Sequence, residues 1–149
     1  MTEPAAAPPP DPIPDDPRRL AQADLVRQLL SGLMAQAAAY ELAASRASGI
    51  LRQSLVDLYQ AIEAEIAALT PLAGTLGVTL PTPPAPGGPE RSWGAILGEA
   101  FQAERTLGRV ARELAAMAGD PAMVALSTRL TSEIARDREG VRRLYLRYT

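Results

Sequence analysis

Apolar side chains recur every three to four positions through four long stretches of this chain, separated at three places, of which the first is a weak break read as a turn. That period belongs to an α-helix with one buried stripe, whereas a strand would alternate every two. The breakers are Ser48-Gly49, the run Val78–Arg91 (VTLPTPPAPGGPER), and Gly119-Asp120-Pro121. They divide the chain into helices expected at about 17–48, 50–76, 92–118 and 121–148. Ahead of them, residues 1–16 carry Pro4, Pro8, Pro9, Pro10, Pro12 and Pro14 among Ala and Asp. Proline removes donors and locks φ, so this segment reads as a disordered Pro/Ala-rich tail. The tail is a spacer by composition, since PPPDP lacks a basic flank that would mark a ligand for an aromatic groove.

The stripes can be written out. The first helix presents Val26, Leu30, Leu33, Ala37, Tyr40 and Ala44; the second Leu51, Leu55, Leu58, Ile62, Ile66, Leu69 and Ala73. The third presents Ile96, Ala100, Glu104, Leu107, Ala111, Leu114 and Ala118; the fourth Met123, Ser127, Leu130, Ile134, Asp137, Val141, Leu144 and Tyr148. Ends are marked by Asp16 before Pro17, by Gly77 as a cap, by Ser92 as an N-cap, and by Asp120 before Pro121. Pro71 sits inside the second stripe, where a kink is expected. Aromatics make up only 4% of a chain that is 47% apolar, and Ala-rich runs permit close helix–helix approach.

Connection lengths then set the topology. The first two helices are joined by almost nothing, as are the last two, so each pair forms an antiparallel hairpin. The middle linker, 78–91, can span roughly 45 Å when extended, and a helix of ~27 residues is about 40 Å long. It can therefore cross the full bundle and set the third helix parallel to the second. The expected fold is an all-α four-helix bundle of two hairpins joined by a long crossover.

Other features exclude function classes. The chain has no histidine and no cysteine, which removes Ser-His-Asp chemistry, His-held metals or haem, thiolate zinc and disulfides. The formal charge is −2, from 15 basic and 17 acidic residues, and gives no global pull toward nucleic acid. No apolar run reaches the ~18–20 residues of a membrane span, and the start lacks the basic and apolar segments of a secretory signal. No nucleic-acid partner, no transmembrane segment and a cytoplasmic location are the resulting expectations. The arginines Arg129, Arg136, Arg138, Arg142, Arg143 and Arg147 are interleaved with Glu133, Asp137 and Glu139, and read as a solvated face. Trp93, the only Trp, is placed to anchor the linker onto the bundle end.

The segments LLSGLMAQAAAYELAASRAS, LYQAIEAEIAALTPLAGTLGVTLP, SWGAILGEAFQAERTLGRVARELA and LTSEIARDREGVRRLYLRY, in that order and with that crossover, resemble the ferritin-like superfamily. The likeness covers about residues 20–149 and is to small bacterial members of uncharacterised function. Metal-binding members place a Glu on the first and third helices and Glu-x-x-His on the second and fourth. Reflection about the turns sets Glu41 level with the quartet Asp57-Leu58-Tyr59-Gln60, and Glu104 level with Glu133-Ile134-Ala135-Arg136. Gln60 and Arg136 stand where His would be. An Arg there is expected to pair with Glu104 or Glu133, making the metal site degenerate.

Three readings of function follow. The first is a non-enzymatic bundle acting as a structural or protein-interaction module in a homo-oligomer, with no cofactor. The second is a carboxylate-only dimetal binding or oxidase protein, holding iron or manganese through Glu41, Glu104, Glu133 and Asp137, with Glu65 at the edge of its own stripe. The third is a helical adaptor or assembly subunit of a larger complex. Against the second stands the plain alternative that these acids reach solvent or a nearby Arg.

Overall fold

The computed structural model describes residues 16–82 and 91–149. They form four α-helices: α1 Pro17–Arg46, α2 Gly49–Thr75, α3 Trp93–Met117 and α4 Pro121–Tyr148. The expected tail and the body of the expected linker fall on residues 1–15 and 83–90, outside the described residues.

Local chemistry sets the helix ends. The side chains of Asp16, Ser92 and Asp120 accept from the amides of Arg18, Ala95 and Met123, satisfying first-turn donors that have no intrahelical partner. Ser48 precedes α2 without such a bond, and Gly49 supplies the turn with φ +59°. At the end of α2 the cap itself is Leu76, with Gly77 one step beyond at φ +71°. The Val78 amide donates to the Ala73 carbonyl and the Gly77 amide to Gly74, the paired bonds of a Schellman stop, with Val78 buried. The helical run passes through Pro71, and the flanking hydroxyls of Thr70 and Thr75 donate back to the Ile66 and Pro71 carbonyls.

Side-chain contacts fix the helix directions. In the first two turns of α1, Arg18 and Gln22 donate to the Met117 carbonyl at the end of α3, and Arg19 donates to the Thr75 carbonyl at the end of α2. Further along, Gly32 lies against Leu107, and Gln36 donates to the Ala100 carbonyl. Helix α1 therefore runs antiparallel to both α2 and α3, and its first turn supplies donors to otherwise free C-terminal carbonyls of each. Gly108 faces Ile134 and Gly98 faces Tyr145, so α4 runs back along α3; Gly140 faces Leu58 across the α2–α4 seam. The hairpin partners touch most, α1 and α3 less, and α2 and α4 least.

The core follows the predicted stripes with one substitution that matters. Every predicted stripe residue of α1 is buried, as are those of α4 up to Leu144. On α2 the fully buried position is Glu65, whereas Ile66 is half-buried. Trp93 is half-buried against the core at the start of α3.

Candidate functional site

Six buried side chains in this core are polar: Gln22, Gln36, Glu65, Glu104, Ser127 and Asp137. Gln22 and Ser127 are accounted for by bonds to the backbone carbonyls of Met117 and Met123. Three are carboxyls, one each from α2, α3 and α4: Glu65 is 1% exposed, Glu104 0% and Asp137 3%. Burying an ionised carboxylate without a partner costs several kcal/mol, so these three define the chemistry of the bundle centre.

Glu104 has donors. The Tyr40 hydroxyl donates to its Oε1 at 2.8 Å and the Gln36 amide at 3.2 Å, both from α1 one turn apart. Gln36 also reaches the Tyr40 hydroxyl at 3.0 Å and the Ala100 carbonyl at 3.1 Å. Burial pushes Glu104 up to about 7, against the downward pull of Tyr40, Gln36 and, more weakly, Arg138. Tyr40 is itself pushed well above the ordinary tyrosine range, first by burial and then by the facing Glu104 charge. Its hydroxyl therefore keeps its proton and serves as a donor.

Glu65 and Asp137 stand differently. Both oxygens of Glu65 and Oδ2 of Asp137 are buried without a donor, as is Oε2 of Glu104. Burial raises both acids, and a proton on Glu65 turns it into a donor toward Asp137. For Asp137 burial wins, with the neighbouring Glu65 and the charge of Arg136 pulling the other way. At neutral pH this pair retains at least one proton, because two facing carboxylates in a low-dielectric interior cannot both ionise.

The structure divides the predicted ligands. Glu104 and Asp137 face the centre. Glu41 is exposed on α1. Glu133 is at the rim, its side chain 20% exposed and bonded to Arg129 at 2.8 Å. Among the described residues no group of three or more acidic side chains is arranged to hold a metal ion. Arg136 does not fill the gap between the acids as expected. It is exposed, with no carboxylate in ion-pair range among the described residues. It lines a surface groove of about 450 Å3 between α2 and α4 with Asp57, Leu58, Gly140, Arg143 and Arg147, whose floor reaches Asp137. Gln60 and Asp57 are likewise exposed.

The sequence reading left Glu65 at an edge and gave Gln36 no role. Reflection about a turn aligns Cα levels, but helical side chains lean toward their own N-terminus, by about one turn for a Glu. Allowing for that lean brings Glu65 of α2 and Asp137 of α4 toward one level. The signal for the Glu104 clasp was the i, i+4 pair Gln36 and Tyr40, an amide and a hydroxyl in an otherwise apolar stripe. No protein-family model, curated protein or solved structure matches the chain.

Proposed function

We propose that this chain is a non-enzymatic, ferritin-like crossover bundle that works as a structural or protein-interaction module by associating with a second copy of itself. The helix directions support the topology: with α1 antiparallel to both α2 and α3, the latter two point the same way, which suits a linker long enough to cross the bundle. The observation that carries the functional reading is the set of large apolar side chains left exposed at the two ends of the bundle. Ile50 is 63% exposed and Leu146 64%, with Tyr145 also exposed, at the end where the α1–α2 turn, the start of α3 and the finish of α4 meet; Leu20, Leu80 and Val124 are exposed at the other end. The larger exposures, at Ile50 and Leu146, are suited to burial against a partner. Light scattering across a concentration series tests it. The full chain is expected to give a dimer or larger, and Leu146→Glu or Ile50→Glu to shift it toward monomer. A monomer at every concentration sinks the reading.

The carboxylate-only metal reading keeps one specific support, the donor-less oxygens of the buried Glu65 and of Asp137, the latter lining the groove. An all-oxygen set suits a hard cation such as manganese. Metal analysis of purified protein, beside Glu104→Ala and Glu65→Gln, decides this. Stoichiometric metal lost in both variants favours the metal reading over the interaction module, and no metal in any form removes it.

A further inference from the structure

The outer face of the α3–α4 hairpin carries a second feature, on the surface and distinct from the exposed apolar side chains at the bundle ends. Arg105, Arg109 and Arg112 fall at steps of four and three along α3, which sets them on one face of the helix. Arg138 of α4 joins them, and with Gln102 and Thr106 the four guanidinium groups line one groove of about 350 Å3. Within it only Arg109 has an acid in reach, Glu113 at 3.9 Å and at the edge of contact. Arg105, Arg112 and Arg138 have no carboxylate within ion-pair distance among the described residues. Elsewhere the helix surfaces are laced with close pairs, such as Arg129–Glu133 at 2.8 Å and Arg142–Glu139 at 3.2 Å. A concave run of four permanent positive charges, three of them with no acid in ion-pair range among the described residues, in a chain of net charge −2, is a local excess that the composition hides.

We propose that this groove binds a small anion bearing two or more phosphate groups. The planar guanidinium fork matches two oxygens of a phosphate, and forks from two helices can hold adjacent phosphates while the Gln102 side-chain amide meets a remaining oxygen. The groove suits a compact ligand, falling near the lower end of the ~300–1,000 Å3 range of small-molecule sites. A single phosphate engages fewer forks, so a linked pair binds more tightly.

Titration calorimetry of the full chain with inorganic pyrophosphate, at near-physiological salt, tests the assignment. One-to-one saturable binding is expected, at least about tenfold tighter than orthophosphate. The double variant Arg105→Gln/Arg138→Gln removes one fork from each helix and is expected to weaken binding more than about tenfold, while Arg143→Gln, outside the groove, stays within about twofold. Arg105→Lys keeps the charge without the fork and should fall between the two. Arg105 is solvent-facing and Arg138 half-buried, so a thermal melt of each variant checks that it is folded. Absence of saturable pyrophosphate binding overturns the proposal. So does an equal loss in Arg143→Gln, or binding confined to long polyanions.

Discussion

The two seams that join the hairpins treat the same problem in opposite ways. Between α1 and α3, the buried Glu104 is met by two donors from one helix, Tyr40 and Gln36. Between α2 and α4, Glu65 and Asp137 are buried as neighbours with no donor to either Glu65 oxygen or to Asp137 Oδ2. The first seam is also the more closely packed, and Gly32 there lets Leu107 approach until an added Cβ would lie 2.4 Å from its Cδ2. In the second, a Cβ on Gly140 would meet Leu58 at an ordinary 3.6 Å. A carboxyl with one oxygen clasped goes with close packing, and a carboxyl pair without donors goes with a looser seam open to a groove. The physical link is that a clasped acid permits dehydration of its surroundings, whereas an orphaned one favours access to water.

The largest break of this contrast comes from pH. Glu65, Asp137 and Glu104 are all raised in the folded state, so the native protein holds protons that the unfolded chain releases. Their burial is therefore least costly below the ordinary carboxylate range, and stability falls as pH rises from there through the raised folded values. For Glu104, a shift from 4.5 to about 7 corresponds to a loss on the order of 3 kcal/mol across that window. Glu65 extends the decline into alkaline solution. Denaturant melts of Glu65→Leu should lose the alkaline part of the decline, and above about pH 8 the variant should be the more stable by ~1–4 kcal/mol. A wild-type stability that is flat or rising with pH would count against the buried pair.

Tyr40→Phe sharpens the other side. It removes the shorter bond to Glu104 and should cost about 1–3 kcal/mol near neutral pH. Because that hydroxyl lowers the Glu104 pKa, the loss should grow as Glu104 ionises and shrink in acid. A pH-independent loss would mean that packing, not the clasp, was removed.

The glycines give the smallest effects and compare the seams directly. Gly32→Ala must displace the buried Leu107 side chain and should destabilise by about 1 kcal/mol or more. Gly140→Ala should stabilise by ~0.5–1 kcal/mol, since the helix gains and the space is open. Thermal melts of the two variants should move in opposite directions. Equal shifts would show that the seams do not differ.

Much of this was legible in the chain. Periodicity located four helices, and breakers bounded them to within about two residues, because both depend on local backbone and capping chemistry. The stripes of α1 and α4 named the core there, and those of α3 and α4 carried Glu104 and Asp137 as inward acids, although on α3 Leu97 and not Ile96 is the buried residue. The stripe of α2 misplaced one position. Ile62, Glu65, Leu69 and Ile62, Ile66, Leu69 are equally helical spacings, and apolar character alone selected Ile66.

The sequence by itself determined the helices, their caps, the absence of imidazole and thiol chemistry, and the presence of acids within apolar stripes. Only the tertiary structure decided which acids meet. Glu41 and Glu133 ended at the surface and rim while Glu65 turned inward, and Arg136 stayed outside the gap between the acids. It also gathered Arg105, Arg109, Arg112 and Arg138 around one groove. The reason is that helical spacing fixes a side chain's angle around its own axis, whereas burial depends on the rotation and height of each helix against its neighbours. Those are settled by packing across both seams at once, and a turn's difference in level decides whether a carboxyl finds a hydroxyl, another carboxyl or water.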